Sequence, residues 1–136
     1  MGKEKIKVAF LCVENARRSQ MAQGFAEVLG KGRVEAWSAG SRPASAVDPM
    51  VIEVMKEKGI DLSNREPKGL EALPSDGIDY AITMGCEETC PALVAREFVA
   101  WEIPDPKEKS LEEYRKIRDM IEGKVKTLLE RVEHRT

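Results

Sequence analysis

Three cysteines, a pair of adjacent arginines and an aspartate between two prolines are the residues of this sequence best suited to chemistry. Cys12 and Arg18 frame a short segment, Val13, Glu14, Asn15, Ala16 and Arg17, and Ser19 follows directly. A cysteine supplies a nucleophile, and an arginine supplies a planar fork that grips two oxygens of a tetrahedral oxyanion. If the segment leads into a helix, free backbone N–H groups and the positive end of the helix dipole favour an anion there. The same field favours the thiolate, the nucleophilic form of Cys12. The stretch therefore reads as an anion-binding nucleophile loop of residues 13–19. Taken singly, a cysteine after an apolar run is usually a small buried hydrophobe, and an arginine at a helix start is usually solvated. The pattern gains its weight from order: apolar run, cysteine, loop, arginine, serine, helix.

The elements around the loop supply that order. Val8 to Leu11 is a short apolar run suited to a buried parallel strand. Met21, Ala22, Phe25, Ala26 and Leu29 recur at helical spacing, so a helix begins near Arg18 and ends at Gly30 or Gly32. Val34 to Ser38 alternates as a second strand, and Ala39 to Val47 is a loop with Ser41 and Arg42 near its tip. Asp48-Pro49 starts a helix, with Asp as N-cap and Pro at the first position. Val51, Ile52 and Met55 give that helix its apolar face, and Gly59 ends it. Asp61 to Gly77, broken by Pro67, Gly69 and Pro74, predicts a loop with one helical turn. Tyr80 to Met84 and Phe98 to Ile103 read as the third and fourth strands. Ser110 caps a long last helix with Glu113 as capping-box partner, and Tyr114, Ile117, Ile121, Val125, Leu128 and Val132 line one face of it. Strands alternating with helices predict parallel units with right-handed crossovers. The expected fold is α/β: a three-layer αβα sandwich with a four-stranded parallel sheet, in a single domain spanning 1–136. Function should gather at the carboxyl ends of the strands, where the Cys12 loop, the Cys86 region and Asp105 all fall.

Composition narrows the setting. Hydrophobic residues at 42% and charged ones at 34% describe a soluble globular chain, and the net charge of −2 argues against a general nucleic-acid binder. No apolar run reaches the length of a membrane span, so a cytoplasmic protein is expected, with no membrane partner. Thiols are kept reduced there, which makes the cysteines chemistry rather than scaffold. Cys86 and Cys90 enclose Glu87, Glu88 and Thr89; on a helix their Cα atoms would lie roughly 6 Å apart, within disulfide range. Two unrelated buried thiols are the plain alternative, weakened by the polar residues between them. Zinc is poorly supported, because no fourth thiol exists and His134, the single histidine, lies by the terminus. No metal and no cofactor are expected. Asp105 stands between Pro104 and Pro106, a rigid presentation that is also an ordinary turn composition.

Taken together, Cys12-Val-Glu-Asn-Ala-Arg-Arg-Ser-Gln-Met-Ala22, Ser38-Ala-Gly40, Cys86 with Cys90, and Asp105-Pro106 resemble the thioredoxin-coupled arsenate reductases of the low-molecular-weight protein tyrosine phosphatase superfamily. The similarity runs from Lys5 to about Val132, with its motifs in the family's order. It implies a low-molecular-weight phosphatase-like fold and reduction of arsenate to arsenite, with phosphate or sulfate as analogues. In that scheme Cys12 attacks arsenate, Arg18 and the loop amides hold the adduct, and Asp105 protonates the leaving oxygen. Cys86 then attacks the Cys12 sulfur, Cys90 resolves the resulting disulfide, and thioredoxin or a similar dithiol regenerates the enzyme. Asn15 matches the residue that braces the loop, and Ser19 the one whose hydroxyl donates to the sulfur. The alternative is a low-molecular-weight protein tyrosine phosphatase that hydrolyses phosphate monoesters with Cys12, Arg18 and Asp105. Lys107 and Glu108 stand where such phosphatases commonly present aromatic residues.

Four positions depart from the family pattern. Glu14 replaces a frequent glycine, and its side chain is expected to point outward with its N–H inward. Ala16 and Arg17 stand where many arsenate reductases carry a further loop cysteine. Some members bind potassium behind the loop, where a glutamate is frequent; here that residue is Gln23.

Overall fold

The structure, a computed structural model, describes residues 5–74, 77–84 and 95–135, so Cys86 and Cys90 lie outside the described residues. The first strand, β1, runs Ile6–Cys12, and its residues from Val8 to Leu11 are at most 1% exposed. A strand covered on both faces needs no polar alternation, which is why this run is continuously apolar. β2 (Val34–Gly40) and β3 (Ile78–Thr83) flank β1, and β4 (Ala95–Ala100) pairs with β3. All pairings are parallel, in the order β2-β1-β3-β4.

Side chains of successive strand residues point to opposite faces, and the two faces are covered differently. Val8, Phe10 and Cys12 join Tyr80 and Ile82 in the main core. There they meet Met21 and Phe25 of α1 (Arg18–Leu29), Val51 and Met55 of α2 (Pro49–Lys56), and Tyr114 and Ile121 of α3 (Leu111–Arg135). Ala9 and Leu11 face the other way with Ala39, Ile78 and Ala81. Among the described residues they are met there by Leu73 and by Leu70 of a single 3-10 turn, Leu70–Ala72. This is the expected four-stranded parallel α/β architecture, with the helical turn inside the 61–77 loop. No helix among the described residues is long and apolar enough to cross a membrane.

Local signals set the helix ends. Asp48 accepts a hydrogen bond from the Met50 amide at 2.9 Å, and Pro49 opens α2. Ser110 Oγ accepts from the Glu113 amide at 3.2 Å at the start of α3. The residues expected to line α3, from Tyr114 to Val132, are all buried. The register aligns Cys12 with Gly40, Leu11 with Thr83, and Thr83 with Ala100. The carboxyl ends of β1, β2, β3 and β4 therefore lie along one edge of the sheet.

The fourth strand differs from expectation. The sequence predicts Phe98 to Ile103, whereas β4 spans Ala95–Ala100. Trp101 donates its backbone N–H to Thr83 at 2.8 Å and then leaves the sheet. The apolar pattern at Trp101 and Ile103 comes from burial in the main core beyond the strand, where Trp101 packs on Phe10 with ring centroids 5.8 Å apart. Phe98 sits on the edge strand and is 55% exposed. Because Trp101 anchors the segment leading to Asp105, Trp101→Ala should lower stability by about 3–5 kcal/mol. Urea denaturation checks this; a loss below about 1 kcal/mol would mean that the indole is not packed as described.

Candidate active site

β1 delivers Cys12 to the sheet edge, where its side chain is 3% exposed and forms no disulfide. The chain then turns through Val13–Arg17 and enters α1 at Arg18. This turn must satisfy buried backbone groups, and Asn15 is the residue that does so. It takes φ +51°, a left-handed conformation that Asn tolerates better than most residues, and it is fully buried. Its side-chain oxygen accepts from the Lys68 amide at 2.8 Å and from Gln20 Nε2 at 3.1 Å. Gln20 Nε2 also lies 3.1 Å from the Asn15 carbonyl and 3.3 Å from that of Glu66.

Asn15 Nδ2 donates to Ser19 Oγ at 2.6 Å, and Ser19 Oγ stands 2.9 Å from Cys12 Sγ. A hydroxyl has one proton to give and accepts from Asn15 here, so it can donate to the sulfur when Cys12 is a thiolate. β2 approaches so closely that a Cβ on Gly40 would lie 2.5 Å from the Val13 carbonyl oxygen and 2.9 Å from the Asn15 nitrogen. Only glycine fits there.

Arg18 donates through Nη1 to the Ile103 carbonyl at 2.9 Å, and its Nη2 lies 3.6 Å from Asp105 Oδ2. Its Nε is buried without a hydrogen-bond partner. Such a donor, fixed at the start of a helix, is the group an oxyanion would satisfy. Asp105 accepts from the Lys107 amide at 3.2 Å, the side chain to backbone bond typical of an Asx turn, and from Arg17 Nε at 3.0 Å. Cys12, Glu14, Ala16, Arg17, Arg18 and Asp105 line one narrow cleft.

Glu14 turns its carboxylate to Arg17 and to Lys107 Nζ, the latter at 3.2 Å. The hydrogen bond from Arg17, then that from Lys107, holds its pKa below the usual carboxylate range. The repulsion it would exert on an anion is thereby met by two cations. Arg17 also donates to Asp48 Oδ2 at 3.2 Å. Burial alone would lower the Arg17 pKa, but its bonds to Glu14 and Asp48 and the charge of Asp105 raise it instead. Asp48 is pushed up by burial and pulled down further by the Tyr114 hydroxyl, the Met50 amide and Arg17, so its pKa is lowered. Burial, followed by the bond to Asp48, raises the Tyr114 pKa.

Behind the loop, Gln23 turns its amide nitrogen to the Ala36 carbonyl at 3.2 Å and to Glu27 at 3.1 Å, while its oxygen accepts from Ser38 Oγ at 2.6 Å. Asn15 Oδ1 already takes two N–H donors. This donor set does not fit a potassium ion, which needs those oxygens free.

A family model described as low molecular weight phosphotyrosine protein phosphatase matches residues 7–136. The chain belongs to this family. The glutaredoxin arsenate reductase of Synechocystis is 37% identical over 129 residues, covering 93% of this chain and 98% of that protein. A solved arsenate reductase in its phosphate-binding state superposes with a TM-score of 0.86 at 35% identity, covering 93% of this chain and 98% of the other. A thioredoxin-dependent arsenate reductase of Corynebacterium glutamicum, with TM-score 0.82 and 33% identity, covers 100% of this chain and 66% of its own.

Cys12, Glu14, Ala16, Arg17, Arg18 and Asp105 thus meet at one cleft, and Asn15 and Ser19 join it through the hydrogen bonds linking Asn15 to Ser19 and Ser19 to Cys12, while Cys86 and Cys90 lie outside the described residues. Sequence reasoning missed two supports. Gln20 is a polar residue on the first turn of α1 that proves 1% exposed, and Asp48 serves Arg17 and Tyr114 besides capping α2. Gly40→Ala should displace the Cys12 loop and cut turnover by roughly tenfold to a hundredfold with the fold retained; unchanged steady-state kinetics would contradict the close approach. The lowered pKa values of Glu14 and Asp48 have a second consequence. Their stabilising contribution is complete above the unfolded carboxylate range of about 4 and is lost as pH falls through the folded values. Acid unfolding followed by circular dichroism should therefore be shallower in Asp48→Asn than in the parent chain.

Proposed function

We propose that the protein is an arsenate reductase driven by a dithiol donor of the thioredoxin or glutaredoxin class. The observation that carries its oxyanion chemistry is the cleft lined by Cys12, by Arg18 with its unpartnered Nε, and by Asp105. Reduction rather than hydrolysis rests on arsenate reductase relatives of matching length and on two further cysteines on the same chain.

The chemistry follows from the donors present. The Cys12 thiolate attacks arsenic and forms an S–As bond, while Asp105 gives a proton to the departing oxygen, which leaves as water. Arg18 and the N–H groups at the start of α1 hold the remaining oxygens. Cys86 then attacks the Cys12 sulfur. A Cys12–Cys86 disulfide forms, the S–As bond breaks, and its electron pair stays on arsenic, which departs as arsenite. Cys90 attacks Cys86, forms Cys86–Cys90 and frees Cys12 as a thiol. The external dithiol reduces that disulfide by exchange. Donors of this class lie near −270 mV for thioredoxin and about −200 to −230 mV for glutaredoxins, which bounds the potential of the pair.

The same cleft suits a phosphate monoester, with water in place of Cys86 as second nucleophile, and the family description makes hydrolysis the second reading. The rim favours the first: Lys107 is engaged with Glu14, and Glu108 follows at φ +64°, where an aryl ester would need an apolar wall. A coupled assay with arsenate, thioredoxin and its reductase, run beside aryl phosphate hydrolysis, separates the two. Arsenate-dependent reductant consumption should vanish in Cys86→Ser while any hydrolysis persists. Cys90→Ser should complete one turnover and stop at the Cys12–Cys86 disulfide. Sustained turnover by Cys90→Ser with thioredoxin as sole reductant would overturn the relay.

A further inference from the structure

Arg17 has no part in the scheme above, yet it is the most heavily bonded charged side chain at the cleft. A guanidinium offers five N–H donors in a fixed plane and no acceptor. Here Nε donates to Asp105 at 3.0 Å, Nη1 to Asp48 at 3.2 Å, and Nη2 to Glu14. The three carboxylates come from the nucleophile loop itself, the start of α2, and the segment after β4. The Arg17 side chain is only 9% exposed, so its position is fixed by packing as well as by charge.

Its partners differ in freedom. Asp48 is held from behind by the Tyr114 hydroxyl at 2.6 Å and by its own capping bond to Met50. Asp105 is 37% exposed, and Pro104 and Pro106 restrain its backbone but not its side chain. Apart from Arg17, the Asp105 carboxylate has the Lys107 amide at 3.2 Å and Arg18 Nη2 at 3.6 Å. Arg17 is thus its strongest tether, and the other end of that tether runs through Asp48 and Tyr114 into α3. Three of its five N–H donors go to carboxylates, which leaves Arg18, with its unpartnered Nε, as the arginine better placed to grip substrate.

We infer that Arg17 is a positioning residue that holds the Asp105 carboxylate over the Cys12 loop. The inference rests on the proposed role of Asp105 as the acid of the first step. Arg17 adjoins Arg18 in the chain, so nucleophile loop, oxyanion grip and acid are tied to one short segment. A general acid works only within hydrogen-bond reach of the departing oxygen, and a misplacement near 1 Å can cost about a hundredfold in rate.

The test is a double-mutant cycle on the intact chain with Arg17→Met, Asp105→Asn and the combination. The first half-reaction is followed with arsenate in single turnover and, in parallel, with an aryl phosphate. Phosphate affinity is measured by calorimetry. Arg17→Met should slow the chemical step by roughly tenfold to a hundredfold and leave phosphate affinity within about threefold. The double variant should be no slower than Asp105→Asn alone, because a positioning residue has nothing left to position. Arg17→Lys keeps the buried charge without the fork, so it preserves the fold if Arg17→Met does not, and it should recover part of the rate. Losses that multiply in the double variant, a loss confined to phosphate affinity, or a wild-type rate in both Arg17 variants would overturn the inference alone. A wild-type rate in Asp105→Asn, or no turnover of either substrate by the parent chain, would overturn the reading of Asp105 together with it.

Discussion

The site depends on Asn15 being held in a left-handed turn. A loop that carries a nucleophile at a helix start must aim several N–H groups at one point, and such a backbone leaves other polar groups facing inward. Asn15 answers this with one side chain: its oxygen takes two donors, its nitrogen gives to Ser19, and Gln20 reaches its carbonyl. Because the residue is fully buried, each unmade bond would cost on the order of 1–3 kcal/mol. The serine that faces Cys12 is oriented by the same brace. Loop geometry and thiol environment are therefore one structural problem with one solution, and Gly40 supplies the room for it.

Charge is arranged with similar economy around that loop. Three carboxylates, Glu14, Asp48 and Asp105, meet three cations, Arg17, Arg18 and Lys107, in hydrogen bonds or ion pairs. The pairs differ in weight. Lys107 is half exposed, so its bond to Glu14 contributes at most about 1 kcal/mol, whereas Arg17 is buried and its loss would leave carboxylates without a counter-charge. The tertiary links follow this gradient: the buried arginine joins separate elements, and the exposed lysine closes the rim.

Much of this was legible in the sequence, and the limits have identifiable causes. β1 and β2 announced themselves because the sheet buries them, and α2 and α3 because Asp48-Pro49 and Ser110 act within a few residues of chain. The Cys12-to-Arg18 spacing named the loop because its function needs those types in that order. The end of β4 was misplaced since Trp101 and Ile103 are apolar for the sake of the core beyond the strand. In the sequence Arg17 reads only as a member of the anion-binding loop. Its partners at Asp48 and Asp105 are 31 and 88 residues away, and no local pattern encodes such pairings. Gln20 carries no local signal of burial, because its burial is decided by the Asn15 turn that it bonds.

The balance of charges bears on how an anion site can exist in a chain of net charge −2. The cations at the cleft are matched by carboxylates, so no large positive field draws the ligand in. What remains unmatched is local: the buried Nε of Arg18 and the dipole at the start of α1. Both act over a few ångströms and in fixed directions, so they reward a tetrahedral oxyanion seated against Cys12 and offer little to an anion elsewhere. Recognition of this kind selects shape over charge. It also treats phosphate and arsenate alike, which moves the choice between hydrolysis and reduction away from the loop to whichever nucleophile next reaches the Cys12 adduct.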